Sequence, residues 1–509
     1  MEIAEKMKFF LCLFNMLFFF CCSCTESSRL ESVLLQSGTN RLELEKVLSH
    51  YKDDPMKYRA ACFLIEHMPS KYSLEPESAD DPYRNFLRHI PAKDSINWKL
   101  DSCHVGHLLD SVSRLASPRV RKVEDLKAVT AEFLIDNIDW AFRAWEVSKY
   151  TRHYTFDDFL HHVLPYRIGH EPLTLWRGKA YERYSHLLDS AFTPLQVAVD
   201  MAMNEGMRYN IGMTKYPYLQ SFEEMTASRW GGCEEMAAYL TLSLRAVGIP
   251  ATIDFVTTWA NRSSGHCWNV LKDTTGKFVE VGYDPNGENR VIYKPSKIYR
   301  KNYASVGGSD VTSEYAMPQS DLSFSLSSEH EGRIAALCTF NNREWVPVAL
   351  AKCEGGNVLF PSVGRGALWG NNELMPHLDA GNGIVYLVQV QHEDGWLHVS
   401  APLLLCEDGI INELTADSDR KERVALGRKY PYYGEDFSRP YDSNNVKAGD
   451  VYELRYWQDG WKSLGRKTAE RDTLVYDDVP VGALLWLHNH SGGREERIFT
   501  YENGKQIWW

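Results

Sequence analysis

The chain has 509 residues, 44% of them hydrophobic and 24% charged, with a formal net charge of -12. That length exceeds what one hydrophobic core can organise and predicts three or four domains of ordinary globular composition. No Lys/Arg-rich block relieves the acidic balance, which argues against nucleic acid as a partner, because phosphate binding needs a concentrated basic surface.

The first predicted element is a secretory signal. Lys6 and Lys8 precede an apolar run over residues 9–22, shorter than the roughly 20 residues of a spanning helix. The run ends in Cys21-Cys22-Ser23-Cys24, followed by the polar Thr25-Glu26-Ser27-Ser28. This resembles the lipobox of bacterial lipoproteins, in which a small residue precedes a cysteine that is lipidated after cleavage. Ser23-Cys24 fits that junction best, with Cys22 as the alternative, since Cys21 and Cys22 depart from the usual residues there. The expectation is a signal peptide over 1–24, a lipid anchor on Cys24 and a location in the cell envelope, outside the cytoplasm. No second apolar span follows.

Residues 25–190 read as a helical region. Leu42, Leu44, Val47 and Leu48 form a stripe that stops at Asp53-Asp54-Pro55, where Asp54 can cap and Pro55 can open the next helix. Further helices are predicted within 123–145 and over 156–164. Thr193-Pro194-Leu195-Gln196 reads as a capping box with proline at the first helical position.

The stretch Trp230-Gly231-Gly232-Cys233-Glu234-Glu235-Met236 carries the chemistry. Two glycines permit a tight turn and a close approach to substrate. Glu234 and Glu235 suit a helix's first turn, and Met236, Ala237, Leu240 and Leu244 give an apolar face that Gly248 and Pro250 stop. Cys233 then stands at a helix N-terminus, where unpaired N–H groups and the dipole favour a thiolate nucleophile. The texture turns to strands at 251–258, 267–271 and 277–281. Gly265-His266-Cys267-Trp268 opens the second of these, and Tyr283-Asp284-Pro285 follows the third. Antiparallel neighbours can bring His266 and Asp284 together as base and orienting carboxylate. A lone histidine on a strand is usually structural and a lone Asp-Pro usually a turn. Their order after Cys233 is what points to a triad.

In that order the sequence resembles the transglutaminase-like superfamily, papain-like thiol enzymes with Cys on a helix and His and Asp on adjoining strands. The resemblance covers about 192–290 and assigns nucleophile, base and carboxylate to Cys233, His266 and Asp284. It implies acyl chemistry at an amide of a protein or peptide substrate through a thioester, and hydrolysis is expected over transamidation because no feature marks an amine-donor channel. Cross-linking members commonly have Trp after the Cys, whereas here Glu234 follows. The whole chain also resembles a group of bacterial envelope lipoproteins with this core, through residues 156–170 and Tyr501-Glu502-Asn503-Gly504-Lys505. The competing reading is an inactive surface lipoprotein that binds peptide or glycan.

Other candidates are weaker. The Cys233 backbone N–H is an expected oxyanion donor, and Trp230 and Trp268 are candidate substrate or oxyanion residues, with a hydrophobic wall as the bland reading of Trp230. Arg167 and Glu171 are read first as an ion pair rather than site residues. His104 with His107, and His161 with His162, lack a HExxH or CxxC partner, and no Gly-rich phosphate loop precedes a helix. No metal, cofactor or nucleotide is expected.

The remainder reads as β. A shift of 116 residues aligns Trp345 with Trp461, Val363 with Val479 and Gly366-Ala367-Leu368 with Gly482-Ala483-Leu484, which predicts a duplicated module. The expected organisation is α+β multidomain: the helical region, a transglutaminase-like core over 191–305, and antiparallel β-sandwich modules at 320–425 and 436–509. Trp345, Trp369, Trp396, Trp457, Trp461, Trp486, Trp508 and Trp509 are expected mainly as sandwich core. Asn503-Gly504 predicts a closing hairpin.

Overall fold

The computed structural model describes residues 28–78, 80–90, 98–281, 292–369, 381–431, 444–493 and 496–509. They form a mixed α+β fold with antiparallel sheets, and the chain divides into two units. The first holds the chain up to Ile253 with Trp268–Val281 and Lys301–Gly308; the second holds Asp254–Cys267, Gly282–Arg300 and Ser309–Trp509. The signal segment and Cys24 lie outside the described residues. Among those described, no helix is long and apolar enough to cross a membrane.

Helix starts in the first unit follow their caps. α1 (Arg41–His50) buries Leu44 and Val47, while Leu42 of the predicted stripe faces solvent. The Asp54 carboxylate accepts the Met56 and Lys57 N–H groups, and Pro55 is the first residue of α2 (Pro55–Glu66). Among the described residues, the predicted helical region is interrupted by β1 (Tyr72–Pro76) and β2 (Val120–Glu124), which pair antiparallel. The helix expected within 123–145 is a short turn over Asp125–Ala128 followed by α3 (Ala131–Val147), with the Thr130 hydroxyl accepting the Phe133 N–H. α4 (Phe156–His162) has a full Thr155/Asp158 capping box, and α5 (Arg177–Tyr184) follows. At α6 (Pro194–Glu205) the predicted box is one-sided. Thr193 caps the Gln196 N–H, but the Gln196 side chain donates to Asp200 at 2.8 Å instead. α7 (Phe222–Ser228) leads into the central helix, α8 (Cys233–Ala246).

α8 is buried around its whole circumference from Ala237 to Ala246, rather than on one face. Small residues let neighbours approach, and each internal polar group has a partner, as burial requires. The Ser243 hydroxyl donates to Tyr239 O, and Arg245 donates to the carbonyls of His162, Pro165, Arg167 and Ala251. Arg177 of α5 donates to Arg245 O at the C-terminal end of α8 and to the carbonyls of Val163, Leu164 and Pro165. Two buried guanidiniums thus satisfy the carbonyls of the 162–167 segment that packs on the helix.

β3 (Ala251–Val256) and β4 (His266–Lys272) extend through both units. In the first, β4 lies between β3 and β5 (Phe278–Glu280). Asn269 of β4 donates to Ala237 O at 2.7 Å and to the Thr241 hydroxyl at 2.8 Å, tying that part of the strand to α8. In the second, β3 pairs with β6 (Tyr299–Arg300), which pairs with β7 (Ser309–Asp310). Fully buried Asp254 accepts two bonds from Arg300 and one from Tyr315.

Two β-sandwich modules fill the rest of the second unit. The first packs the pair β8 (Gln319–Ser325) and β11 (Asn357–Gly364) on a sheet of β9 (Ile334–Asn341), β10 (Glu344–Lys352), β12 (Gly383–His392), β13 (Gly395–His398), β14 (Leu403–Cys406) and β15 (Ile411–Glu413). Its order is β10-β9-β12-β14-β15, with β13 on β12. The second packs β16 (Asp417–Leu426) and β19 (Leu474–Val481) on β17 (Val451–Trp457), β18 (Trp461–Thr468), β20 (Leu485–Asn489), β21 (Ile498–Glu502) and β22 (Lys505–Trp508), in the order β18-β17-β20-β21-β22. The two orders correspond strand for strand, and Trp345 and Trp461 fall on the equivalent strands β10 and β18. The gapless 116-residue shift holds only for the three strands beginning with β9 and β17. It breaks because the long connections differ: Gly364 to Gly383 in the first module, Leu426 to Val451 in the second. For the same reason β16, placed by the sequence reading in the first module, pairs with β19 of the second.

The modules meet through Phe340, Val385, Leu387 and Leu404 on one side and Trp457, Leu484, Trp486, Ile498 and Trp509 on the other. The ring contacts are crosswise, Trp345 on Trp457 at 5.7 Å and Phe340 on Trp461 at 5.8 Å. Arg497, 1% exposed, donates to the carbonyls of Phe340, Ala260 and Trp509. Asn503 and Gly504, both at positive φ, turn β21 into β22 as the Asn-Gly signal predicts.

Candidate active site

The helix start is built first by its glycines. A Cβ on Gly231 would lie 2.6 Å from the Glu235 Cβ and 2.8 Å from the Met207 Cε. The space that glycine leaves is therefore filled by the protein's own side chains rather than kept for substrate. Gly232 is the N-cap of α8, and its N–H donates to the Glu235 carboxylate at 2.9 Å. Cys233, half-buried, is the first helical residue, with Glu234 exposed beside it. Glu235 points inward and is 6% exposed. Burial pushes its carboxyl up to about 7, with Glu234 and Cys233 adding to the rise and backbone N–H groups opposing it. A buried, proton-holding carboxyl two residues from the thiol is a feature the sequence did not signal, since Glu at N3 reads only as a cap.

His266 belongs to the second unit and opens β4 half-buried. A Cβ on the preceding Gly265 would lie 2.6 Å from Thr257 O and 2.9 Å from Val256 O, so the close approach of the chain at the end of β3 requires glycine at 265. The imidazole stacks on Trp259, centroids 6.1 Å apart and planes at 28°, and meets Trp369 edge-on at 6.0 Å. Trp259 and Trp369 also contact Tyr293, at 4.9 and 5.9 Å. Trp259 follows from the hairpin, because its N–H bonds Ser264 O across the turn. Tyr293 and Trp369 carry no local signal, being joined to the site by long-range pairing: Tyr293 N–H to Trp369 O and Leu368 N–H to Tyr293 O. Asp284, the expected third member, lies outside the described residues.

The remaining candidates separate clearly. Trp230 is 2% exposed in an apolar cluster with Tyr83, Phe86, Tyr216 and Tyr218, which is the wall role. Trp268 is also buried, at 7% exposed. Arg167 donates to Asp125 and to the carbonyls of Tyr72, Gly169 and Glu171, while Glu171 accepts the Ile168 and Gly169 N–H groups. Both hold the fold, although Arg167 pairs with Asp125 rather than with the Glu171 carboxylate. His162 is buried against Phe278, and burial and Arg245 hold its imidazole well below its ordinary range. Of the eight tryptophans expected in the sandwich cores, Trp396 is 40% exposed and Trp369 sits at His266 instead. Among the described residues, no group of three or more His, Cys, Asp or Glu side chains could hold a metal ion.

Residues 195–283 match the family model of the transglutaminase-like superfamily. The match runs from α6 through Cys233 and His266 and ends one residue short of Asp284. A search of curated proteins found no match to the chain.

Proposed function

From a transglutaminase-like core at residues 195–283, we propose that the protein is a cysteine enzyme of the cell envelope that hydrolyses amide bonds in peptides or proteins. The observation that carries this reading is Cys233 as the first residue of a 14-residue helix, inside the matched segment and partly open to solvent. The helix dipole at that position favours a thiolate. The Gly265-His266 start of β4 supports a second role in the same segment.

The Cys233 thiolate adds to the amide carbonyl, and the Cys233 N–H stabilises the resulting oxyanion. His266, as imidazolium, gives its proton to the leaving nitrogen, the C–N bond breaks and a thioester remains. Water then attacks the thioester, His266 takes a proton from it, and the acid leaves with the thiolate restored. Asp284 fixes the imidazole tautomer throughout. Glu234, where cross-linking relatives commonly carry Trp, supports water over a protein amine as the acceptor.

Incubating envelope extracts with the active protein and with Cys233→Ala tests the proposal. New N-termini or deamidated side chains that depend on Cys233 are the expected result. If the two samples are identical and an iodoacetamide probe leaves Cys233 unlabelled at neutral pH, the enzyme reading falls and a binding role takes its place. Tethering through Cys24 is proposed alongside it. Mass spectrometry should find the mature chain beginning with an acylated Cys24, and an unmodified N-terminus beyond that residue would refute the anchor.

A further inference from the structure

We propose that a cavity between the β1–β2 ladder and the start of α3 binds a primary ammonium attached to an apolar group of leucine size. That chemistry is shared by the free N-termini of peptides and by small apolar amines. The cavity lies wholly in the first unit. Its lining does not include Cys233, so the inference goes beyond the cysteine-enzyme reading and does not rest on it.

The cavity measures about 330 Å³, at the small end of the range for small-ligand sites. Its floor comes from the ladder. Ser73 pairs with Val123 and Glu75 with Arg121, which puts these four on one face, because cross-strand partners and alternate residues share a face. Val123, Val129, Phe133, Leu173 and Leu175 give the lining its apolar part, which suits a branched aliphatic group.

The charge of the lining is one-sided. Glu75, Asp125 and Glu132 contribute to it, and no lysine, arginine or histidine among the described residues does. Two of these carboxylates are neutralised within the fold. Asp125 is held by Arg167 at 2.7 Å and by the Tyr166 hydroxyl at 2.9 Å, and Glu75 takes Arg121 across the ladder at 3.0 Å. Glu132 is exposed and has no hydrogen bond or ion pair from its side chain among the described residues. Neighbouring lysines are committed elsewhere, Lys122 to Glu124 and the Tyr72 ring, Lys127 to the Gln36 carbonyl. The dipole of α3 would favour an anion here, but the protein already supplies the acceptors. The Ala131 N–H donates to the Glu43 carboxylate at 2.8 Å, and the Phe133 N–H to the Thr130 hydroxyl. The charge left uncompensated is that of Glu132, and it calls for a cation. Thr174 adds a second polar point, since its hydroxyl oxygen is buried in the lining without a hydrogen-bond partner. A ligand N–H would relieve the cost of that orphan.

The full chain carrying Cys233→Ala, which leaves amides intact, is titrated with leucinamide, N-acetyl-leucinamide and glycinamide by ligand-observed NMR. At about pH 6 the free α-amine is cationic. Leucinamide should bind at least about tenfold more tightly than glycinamide, which has no side chain to cover the apolar lining. It should bind about fivefold more tightly than N-acetyl-leucinamide, which keeps the side chain and lacks the charge. Glu132→Gln should erase the second difference and keep the first. Thr174→Val, nearly the same shape, should weaken leucinamide about threefold. Glu146→Gln, at the other end of α3, should alter neither ratio. Glu132 is exposed and Thr174 half-buried, so both variants should keep the wild-type thermal midpoint. Leucyl-glycinamide separates the two sources. Tighter binding than leucinamide assigns the first residue of a peptide, equal or weaker binding assigns a free amine, and the site stands in either case. No binding of leucinamide at about 50 mM, or binding indifferent to both Glu132 and Thr174, overturns the site and leaves the enzyme reading untouched.

Discussion

The segment around Cys233 and the paired β modules are specified in different ways. Around Cys233, individual residues are constrained by near contacts, Gly231 before the helix by Glu235 and Met207, and the same holds before β4, where Gly265 meets the Val256 and Thr257 carbonyls. In the modules, a shared strand order survives although few positions are identical and the long connections have moved. A sandwich needs only alternation and turns, which many sequences meet, whereas a thiol centre needs a few side chains in fixed roles. Single substitutions should accordingly abolish chemistry in the first region and erode stability in the second.

The largest effect is expected at the nucleophile. Cys233→Ala should lower turnover at least about ten-thousand-fold, as removal of a covalent nucleophile does, with little change in the denaturant midpoint. Unchanged turnover would erase the contrast between the regions. Asp284→Asn should come next, at about ten-thousand-fold by the triad precedent, with the thiol still alkylated by iodoacetamide.

In the modules, Arg497→Ala leaves the carbonyls of Phe340, Ala260 and Trp509 without their shared donor. A loss of roughly 3 kcal/mol or more is expected, read as a lower urea midpoint of the second unit. A loss under about 1 kcal/mol would show that the modules meet through their rings alone.

Glu235 joins the two kinds of constraint, because it shapes the helix start and also titrates. The folded carboxyl keeps its proton up to about 7, whereas the unfolded one releases it near 4.5. Between these values the folded chain binds more protons, so stability falls as pH rises, by up to about 3 kcal/mol in total. Below the window the contribution is constant, and above it the loss is complete. Glu235→Gln should flatten the dependence, measured as denaturant midpoints at pH 4.5 and 8. An equal slope in both proteins would mean another group carries it. The smallest effect belongs to Thr193→Ala at the start of α6, about 1 kcal/mol for a lost N-cap.

Much of this was legible in the sequence where the signal is local. Asp54-Pro55, Thr193-Pro194 and Asn503-Gly504 each act within a few residues, and each does so in the structure. Cys233 at a helix start and His266 at a strand start were legible for the same reason. The β1–β2 pair was missed because its partners are far apart in the chain and short. Burial of α8 on all sides from Ala237 to Ala246 was missed because only Met236, Ala237, Leu240 and Leu244 mark an apolar face, and Thr241, Ser243 and Arg245 are satisfied by tertiary partners. Tyr293 and Trp369 were invisible beside His266 for want of any periodic link between them.

The discontinuity of the first unit sets a timetable for its folding. Its apolar core includes Leu271, Val281 and Tyr303, and the Tyr303 hydroxyl donates to Leu64 O across 239 residues. At synthesis rates of 5–20 residues per second, α2 waits about 12 to 50 seconds for that partner to emerge. Throughout that interval the early helices lack the contacts that complete their core, as chains of high contact order do. Ribosome-arrested chains that stop before Leu271 should be cleaved readily by protease in α2, and chains extended well beyond Tyr303 should resist.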